Sequence, residues 1–312
     1  MMLNLRQQPQ RPSKTPVRRC ESQAMKNEVA RKPFPLRFGE FIRFSHTVFA
    51  LPFALMAMLV AGRGRVPWRV LGWILVCMVT GRTAAMCFNR LVDWEFDKEN
   101  PRTSLRHTLM RKTDAWVIFS VCLAGLLIGT WELNVLCFYL SPVMIVLITC
   151  YSLTKRFTPL SHFFLGLALS VAPMGAWAAV SGELKSLTPY TLAIAVLCWV
   201  AGFDLIYATL DVDFDRRKGL LSVPARFGIA SSLSLAKMLH GIAVVGFFLF
   251  GWIAGLGLYY WIACIVTVGG LIWEHRIADP RNTASINRAF FQINAWVSMS
   301  LLGGVLLNYF LN

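Results

Sequence analysis

Nine apolar stretches, near residues 41–62, 70–91, 115–131, 134–152, 162–181, 188–210, 233–254, 257–274 and 289–310, occupy most of this chain of 312 residues. Each is roughly 17 to 23 residues long, about what an α-helix needs to cross a hydrocarbon core near 30 Å thick. Backbone N–H and C=O groups find no water in lipid, so a spanning segment must pair them within itself as a helix or around a closed barrel. These runs are continuously apolar and lack the period-two alternation of barrel strands. The fold class expected is therefore all-α: a polytopic membrane protein whose nine transmembrane helices form a bundle. A composition of 56% hydrophobic and 15% charged residues excludes an ordinary soluble enzyme.

Residues 1–37 are different in kind. They carry nine Lys or Arg and only two Glu among many Gln, Pro and Ser, too little apolar surface to fold alone, so a disordered basic tail is expected ahead of a membrane domain over 38–312. Glu21 and Glu28 argue against a mitochondrial transit peptide, and no apolar core precedes a small-residue cleavage site. With the tail in the cytoplasm, the connections after helices two, four, six and eight share its side and hold most of the remaining basic residues, as the positive-inside rule asks. The segment Gly62–Arg69 opposes this, with three Arg on the outer side. A net charge of +15 spread over tail and loops suits anionic membrane lipid, and nucleic acid is not expected as a partner. The eight cysteines form no Cys-x-x-Cys pair and read as small core residues.

Seven of the 16 acidic residues fall in two short clusters, each ending an apolar run. Charged side chains in or beside a transmembrane helix cost several kcal/mol, so two matched groups imply a shared ligand that offsets their repulsion. In the first, Asn89, Asp93 and Asp97 are spaced by four and share one face of a helix. In the second, Asp204, Tyr207, Asp211 and Asp215 step by three, four and four, while Asp213 lies off the line. Glu95, Glu99 and Asp213 read as solvated. Carboxylates supported by an amide are hard oxygen donors, and Mg2+ takes one or two of them while keeping waters and phosphate oxygens. Around both clusters stand Arg102, Arg106, Lys155, Arg156, Arg216, Arg217 and Lys218, cations that a bare metal site would not want but a diphosphate would. The two clusters look like copies of one plan, an internal pseudo-repeat.

These motifs resemble those of the UbiA superfamily of intramembrane prenyltransferases, Asn-Asp-x-x-Asp-x-x-x-Asp and Asp-x-x-Tyr-Ala-x-x-Asp-x-x-x-Asp. The second is matched in full by Asp204, Tyr207, Ala208, Asp211 and Asp215; the first by Asn89, Asp93 and Asp97, with Arg90 where many members have Asp. Tyr151 followed by Lys155-Arg156, and Lys218-Gly219 ahead of Ser222, are similar to family features. The resemblance implies nine helices around a central cavity in a bacterial inner membrane, active-site loops cytoplasmic. It implies Asp93, Asp97, Asp211 and Asp215 as catalytic residues that, with Asn89, bind Mg2+ and the diphosphate of a polyprenyl donor. It places Arg102, Arg106, Lys155, Arg156 and Lys218 on the diphosphate, and Arg90 as a further residue meeting it. Asn89, Arg90, Asp204, Tyr207, Tyr151, Arg43 and His46 would line the substrate cavity, Arg43 and His46 near the acceptor carboxylate or the mouth. The stretches Phe44–Ala54 and Asn100-Pro101-Arg102-Thr103 look like the 4-hydroxybenzoate polyprenyltransferase-like branch associated with menaquinone formation by the futalosine route. An aromatic acid of 4-hydroxybenzoate or dihydroxynaphthoate type is then the expected acceptor.

The rival of another class is a cation- or proton-coupled transporter, which also binds ions on carboxylates of a pseudo-repeat. Transporter sites lie near the bilayer midplane on broken helices, whereas these acids lie at helix ends among Arg and Lys that oppose cation uptake.

Overall fold

A computed structural model describes residues 33–42, 49–100 and 102–311 of the chain, so residues 1–32 of the basic tail expected over 1–37 lie outside the described residues. Among the described residues there are helices and no strands. Helix α1 (Phe34–Phe41) begins four residues before the expected domain boundary, after Pro33, and ends in the buried Phe41. Helix α2 (Leu51–Ala61) has Pro52 in its first turn, where a missing N–H costs nothing, and is buried along most of its length. Helix α3 (Trp68–Val92) then leads through Asp93 into the short α4 (Trp94–Glu99). Helices α5 (Lys112–Leu133) and α6 (Val135–Cys150) form a hairpin around Asn134. The Asn134 side chain caps α6 by accepting from the Cys137 N–H at 2.9 Å, and it donates to the Ala178 carbonyl at 2.8 Å.

Helices α7 (Ser161–Ser181) and α8 (Thr188–Ala208) follow, and α8 continues through a 3-10 turn at Thr209–Asp211 into α9 (Val212–Lys218). The chain is completed by α10 (Val223–Phe227), α11 (Ile229–Ile253), α12 (Leu258–Ile277), α13 (Thr283–Arg288), a π turn at Ala289–Ile293, and α14 (Asn294–Phe310). Helix α8 is the centre, packed between α7 and α11, while α3 pairs with α5, α12 with α14, and α2 with α7 and α14. Around α8 the fully buried Trp199 meets Phe53 at 5.1 Å and Phe203 at 4.9 Å between ring centroids. The close approach of α7 to α8 requires Gly166, where a Cβ would stand 2.4 Å from the Leu197 carbonyl oxygen.

Seven helical runs are long and apolar enough to cross a membrane: Trp68–Val92, Lys112–Leu133, Val135–Arg156, Ser161–Ser181, Thr188–Lys218, Ile229–Ile253 and Thr283–Phe310. Their outward faces are apolar, with Val117, Val121, Ile128, Val143 and Val146 all exposed, and a water-soluble protein does not present such a surface. The chain is thus a multi-pass membrane protein. The other two expected spans fall short for identifiable reasons. Helix α2 is only 11 residues long, and α12 has Glu274, His275 and Arg276 in its last turn. On the outer side expected from the loop charges, Arg69 at the start of α3 pairs with Glu132 at the end of α5 at 2.7 Å. One of the three discordant Arg is thereby neutralised.

Candidate active site

Each acidic motif straddles a helix break rather than running down one straight face, which corrects the expectation of two continuous columns. Asp93 ends α3 with φ −89° and ψ 11°, yet its N–H still reaches the Asn89 carbonyl at 3.0 Å and its own carbonyl accepts from the Asp97 N–H at 2.7 Å. Asp211 stands at the corresponding break between its 3-10 turn and α9, with φ −106° and ψ 2°. Asp is a weak helix former because its short carboxylate competes with the backbone, and in both motifs the bend falls on the middle acid. The bend turns the carboxylates on either side of it inward.

The two motifs face one cavity of about 340 Å³. Asp93, Asp97, Asp204, Asp211 and Asp215 line it together with Arg82, Arg90, Arg102, Arg106, Lys155 and Arg156. Four of the acids have cationic partners. Asp97 takes Arg106 at 3.0 Å and Arg90 at 3.4 Å. Asp211 takes the Arg102 guanidinium along both of its oxygens and the Asn100 amide at 3.3 Å. Asp93 lies 3.5 Å from Arg156, and Asp215 lies 4.0 Å from the Lys155 ammonium. Asp215 also accepts from the Ser222 hydroxyl at 2.8 Å, the same hydroxyl that caps α10. The fifth acid, Asp204, is partnered by Nδ1 of the fully buried His162 at 2.6 Å. Burial pushes the Asp93 carboxyl above the usual carboxylate range; Lys155 and Arg156 oppose this and the neighbouring Asp97 adds to it. Burial pulls Arg102 down, but Asp211 and Tyr207 outweigh it and hold the guanidinium above its ordinary value.

The remaining expected residues divide clearly. Asn89, whose amide reaches Ser152 at 3.3 Å, Tyr151 and Tyr207 all line the cavity, and the Arg102 guanidinium lies 4.8 Å over the Tyr207 ring. Arg90 lines it too, but its guanidinium is held by Asp97 and by the Phe41 carbonyl at 3.3 Å, so it pins α1 to the first motif rather than standing ready for a phosphate. Lys218 is not in the cavity lining. It ends α9, where Gly219 at φ 67° turns the chain, and its ammonium pairs with Glu99. Arg43 and His46 lie outside the described residues. Glu95 pairs with Lys98 at 3.0 Å, and Asp213 is exposed. His162, Ser152 and the cavity-lining Phe203 and Phe290 were not singled out from the sequence, and Asn100 and Phe49 entered only within the branch-like stretches. Of these, only Asn100 had a signal, its place three residues after Asp97 and two before Arg102.

A second cavity of about 380 Å³ adjoins the first between α3, α6, α7 and α8. The two share Cys77, Met78, Met144, Val171 and Ala172, and the second is lined almost wholly by apolar side chains. A charged chamber therefore adjoins an oily one across shared side chains, an arrangement suited to a ligand with an anionic head and a hydrocarbon tail.

The model of the UbiA prenyltransferase family matches residues 50–296. The 4-hydroxybenzoate octaprenyltransferase of Shewanella sediminis is 30% identical over 272 residues, 85% of this chain and 93% of that protein. The enzyme of the same name from Marinobacter nauticus is 30% identical over 231 residues, 73% of this chain and 78% of its own. The apo UbiA homolog from Aeropyrum pernix K1 superposes with a TM-score of 0.76 at 30% identity, over 84% of this chain and 97% of that one. A UbiA homolog from Archaeoglobus fulgidus bound to GPP and Mg2+ shares the fold at a TM-score of 0.66 and 18% identity, over 86% of this chain and 99% of that one. Paired acid motifs facing one chamber, an apolar extension beside it and these likenesses lead to one assignment: the chain belongs to the UbiA prenyltransferase family.

Proposed function

We propose that this protein transfers a polyprenyl group from a polyprenyl diphosphate to an aromatic acid of 4-hydroxybenzoate or dihydroxynaphthoate type in quinone biosynthesis. The observation that carries the reading is the charged chamber, with five Asp and six Lys or Arg, that shares a wall with an apolar cavity. The transporter alternative has no comparable support, because Arg and Lys side chains already hold four of the five acids.

The donor set fits Mg2+ bound together with a diphosphate. Among the described residues no three His, Cys, Asp or Glu side chains converge as a ready-made cage, and Mg2+ does not ask for one, since it uses one or two carboxylates with water and phosphate oxygens. Asn89, Asp93 and Asp97 from the first motif and Asp211 and Asp215 from the second would hold it. When bound, Mg2+ supplies positive charge against the diphosphate oxygens as they leave. Arg102, Arg106, Lys155 and Arg156 orient the diphosphate and stabilise the charge that develops on it. The tail lies in the apolar cavity, which keeps water from the reacting carbon. The C1–O bond of the donor breaks with its electron pair leaving on diphosphate. A ring carbon of the acceptor then bonds to C1, and the ring proton passes to solvent. Asp204 and Tyr207, two turns and one turn before Asp211, line the same chamber and are the side chains offered to the acceptor.

We also infer that nine helices cross a bacterial inner membrane, with the acid motifs cytoplasmic, supported by the loop cations and the Arg69–Glu132 pair. Labelling Glu95→Cys and Trp68→Cys from each side with a membrane-impermeant maleimide tests the orientation; equal protection of both would overturn it. The reaction is tested on purified protein in lipid with Mg2+, a polyprenyl diphosphate and each acceptor separately, read by mass spectrometry. Prenylated product that disappears on chelation is expected, and absence of product with every acceptor would overturn the reading.

A further inference from the structure

The π turn at Ala289–Ile293 interrupts the last long helix beside the cavity. Such a turn inserts one residue, so residues before it are rotated by about 100° relative to those after it. After the turn, Val297 and Leu301 face the core; within it, Phe290 reaches the cavity. There its ring meets Tyr207 at 4.3 Å, Phe203 at 5.1 Å and Phe49 at 5.4 Å between centroids. All four rings line the chamber. Tyr207 joins this group to the charged clamp, because Arg102, paired with Asp211, lies over its ring.

A π turn leaves carbonyls without their usual helical partners, and it persists only where something else satisfies them. The carboxamide of Asn294 does so. From full burial, its nitrogen donates to the Ala289 carbonyl at 3.3 Å and the Phe290 carbonyl at 3.2 Å, and to Glu274 Oε1 on α12 at 2.8 Å. A buried amide bonded to a buried carboxylate is an expensive arrangement to keep as mere packing, and here it fixes the register that turns Phe290 inward.

We propose that the Asn294-pinned π turn seats Phe290 with Tyr207, Phe203 and Phe49 as an aromatic box that stabilises the allylic cation formed at C1 of the prenyl donor. This rests on the prenyl-transfer reading above. C1 is bonded to the diphosphate, so the cation arises next to Arg102 and Asp211, which is where Tyr207 and Phe290 stand. Electron-rich ring faces attract a desolvated cation strongly and the uncharged allylic carbon of the intact donor hardly at all, so the box acts on the transition state rather than on binding. Phe290 is then a catalytic residue, and Asn294 and Glu274 are positioning residues.

The test replaces Phe290 by 4-fluoro-, 3,5-difluoro- and 3,4,5-trifluorophenylalanine, which drain the ring face with little change of size. The readout is diphosphate release and product formation with Mg2+ and a geranyl or longer donor. A stepwise fall in kcat with fluorine number is expected, reaching about 30-fold for Phe290→Leu, at constant donor KM. Asn294→Asp keeps the size but loses the N–H donors, and should lower kcat and flatten the fluorine dependence. A kcat indifferent to fluorination while Phe290→Leu is impaired would make Phe290 a packing residue and overturn the box alone. A wild-type protein that releases no diphosphate from any donor would overturn the prenyl-transfer reading, and the box with it.

Discussion

The guanidinium of Arg102, carried by the loop after the first acidic motif, closes on the carboxylate of Asp211 in the second. The pair joins the two halves of the site, more than a hundred residues apart in the chain. A Lys in place of Arg102 would keep the charge but lose the two-pronged grip. Arg102→Lys is expected to raise the donor KM with little change in kcat, read from initial rates at varied donor; an unchanged KM would remove Arg102 from the diphosphate.

Asp93→Ala and Asp211→Ala should each lower transfer by about 10²–10³-fold or more, since each removes an electrostatic contact at the developing charge. The variants should still insert in membrane at wild-type levels. Product formation under saturating Mg2+ decides the matter, and undiminished transfer by either variant would take that residue out of the site.

Because burial holds the Asp93 carboxyl above the usual range, the acid limb of kcat/KM should lie above the ordinary Asp value near ~3.9. The sign follows from the causes. Arg156 favours the charged form, so Arg156→Gln should move the limb further toward neutral pH. Once donor and Mg2+ fill the site the carboxylate is the favoured form, and the limb of kcat should lie lower than that of kcat/KM. An acid limb identical in wild type and Arg156→Gln would show that another group titrates.

The cavity-lining roles of the acids were legible from their spacing, since steps of three and four keep side chains on one side of a helix whether or not it bends. The bends themselves were not, because Asp93 and Asp211 satisfy the same spacing while leaving helical geometry. Lys218 illustrates a different limit. Closeness in sequence to Asp215 gave no hint that α9 would carry its ammonium to Glu99. His162 and Phe290 left no trace because each sits in an apolar run, where a partner two helices away or an extra residue in a turn makes no mark on periodicity.

Removing Arg90 tests its reading as a pin. Arg90→Met strips a buried partner from Asp97 and a donor from the Phe41 carbonyl, and should cost about 3 kcal/mol of stability. Thermal unfolding in detergent measures it; a neutral effect would mean that Arg106 alone suffices for Asp97.

Helix contact makes an opposed pair of expectations. Gly166→Ala drives a Cβ into the Leu197 backbone, which cannot give way, and should destabilise by about 1–3 kcal/mol. Gly175→Ala on the same helix meets nothing within 4 Å and should be neutral or stabilising by about 0.5–1 kcal/mol. Unfolding midpoints of the two variants should therefore move in different directions.

The ion pairs of the chamber bear on how it fills. A divalent ion arriving alone must pull carboxylates away from Arg and Lys and leave those cations stranded; a diphosphate arriving alone strands the carboxylates. Together, on the proposed reading, they would exchange these ion pairs at once, Asp93, Asp97, Asp211 and Asp215 passing to the ion and their Arg and Lys partners to the phosphates. The two ligands would then be thermodynamically interlocked, each raising the other's affinity by the same factor. On the prenyl-transfer reading, a site built this way would take free ions or free phosphates singly only weakly and would favour the pair.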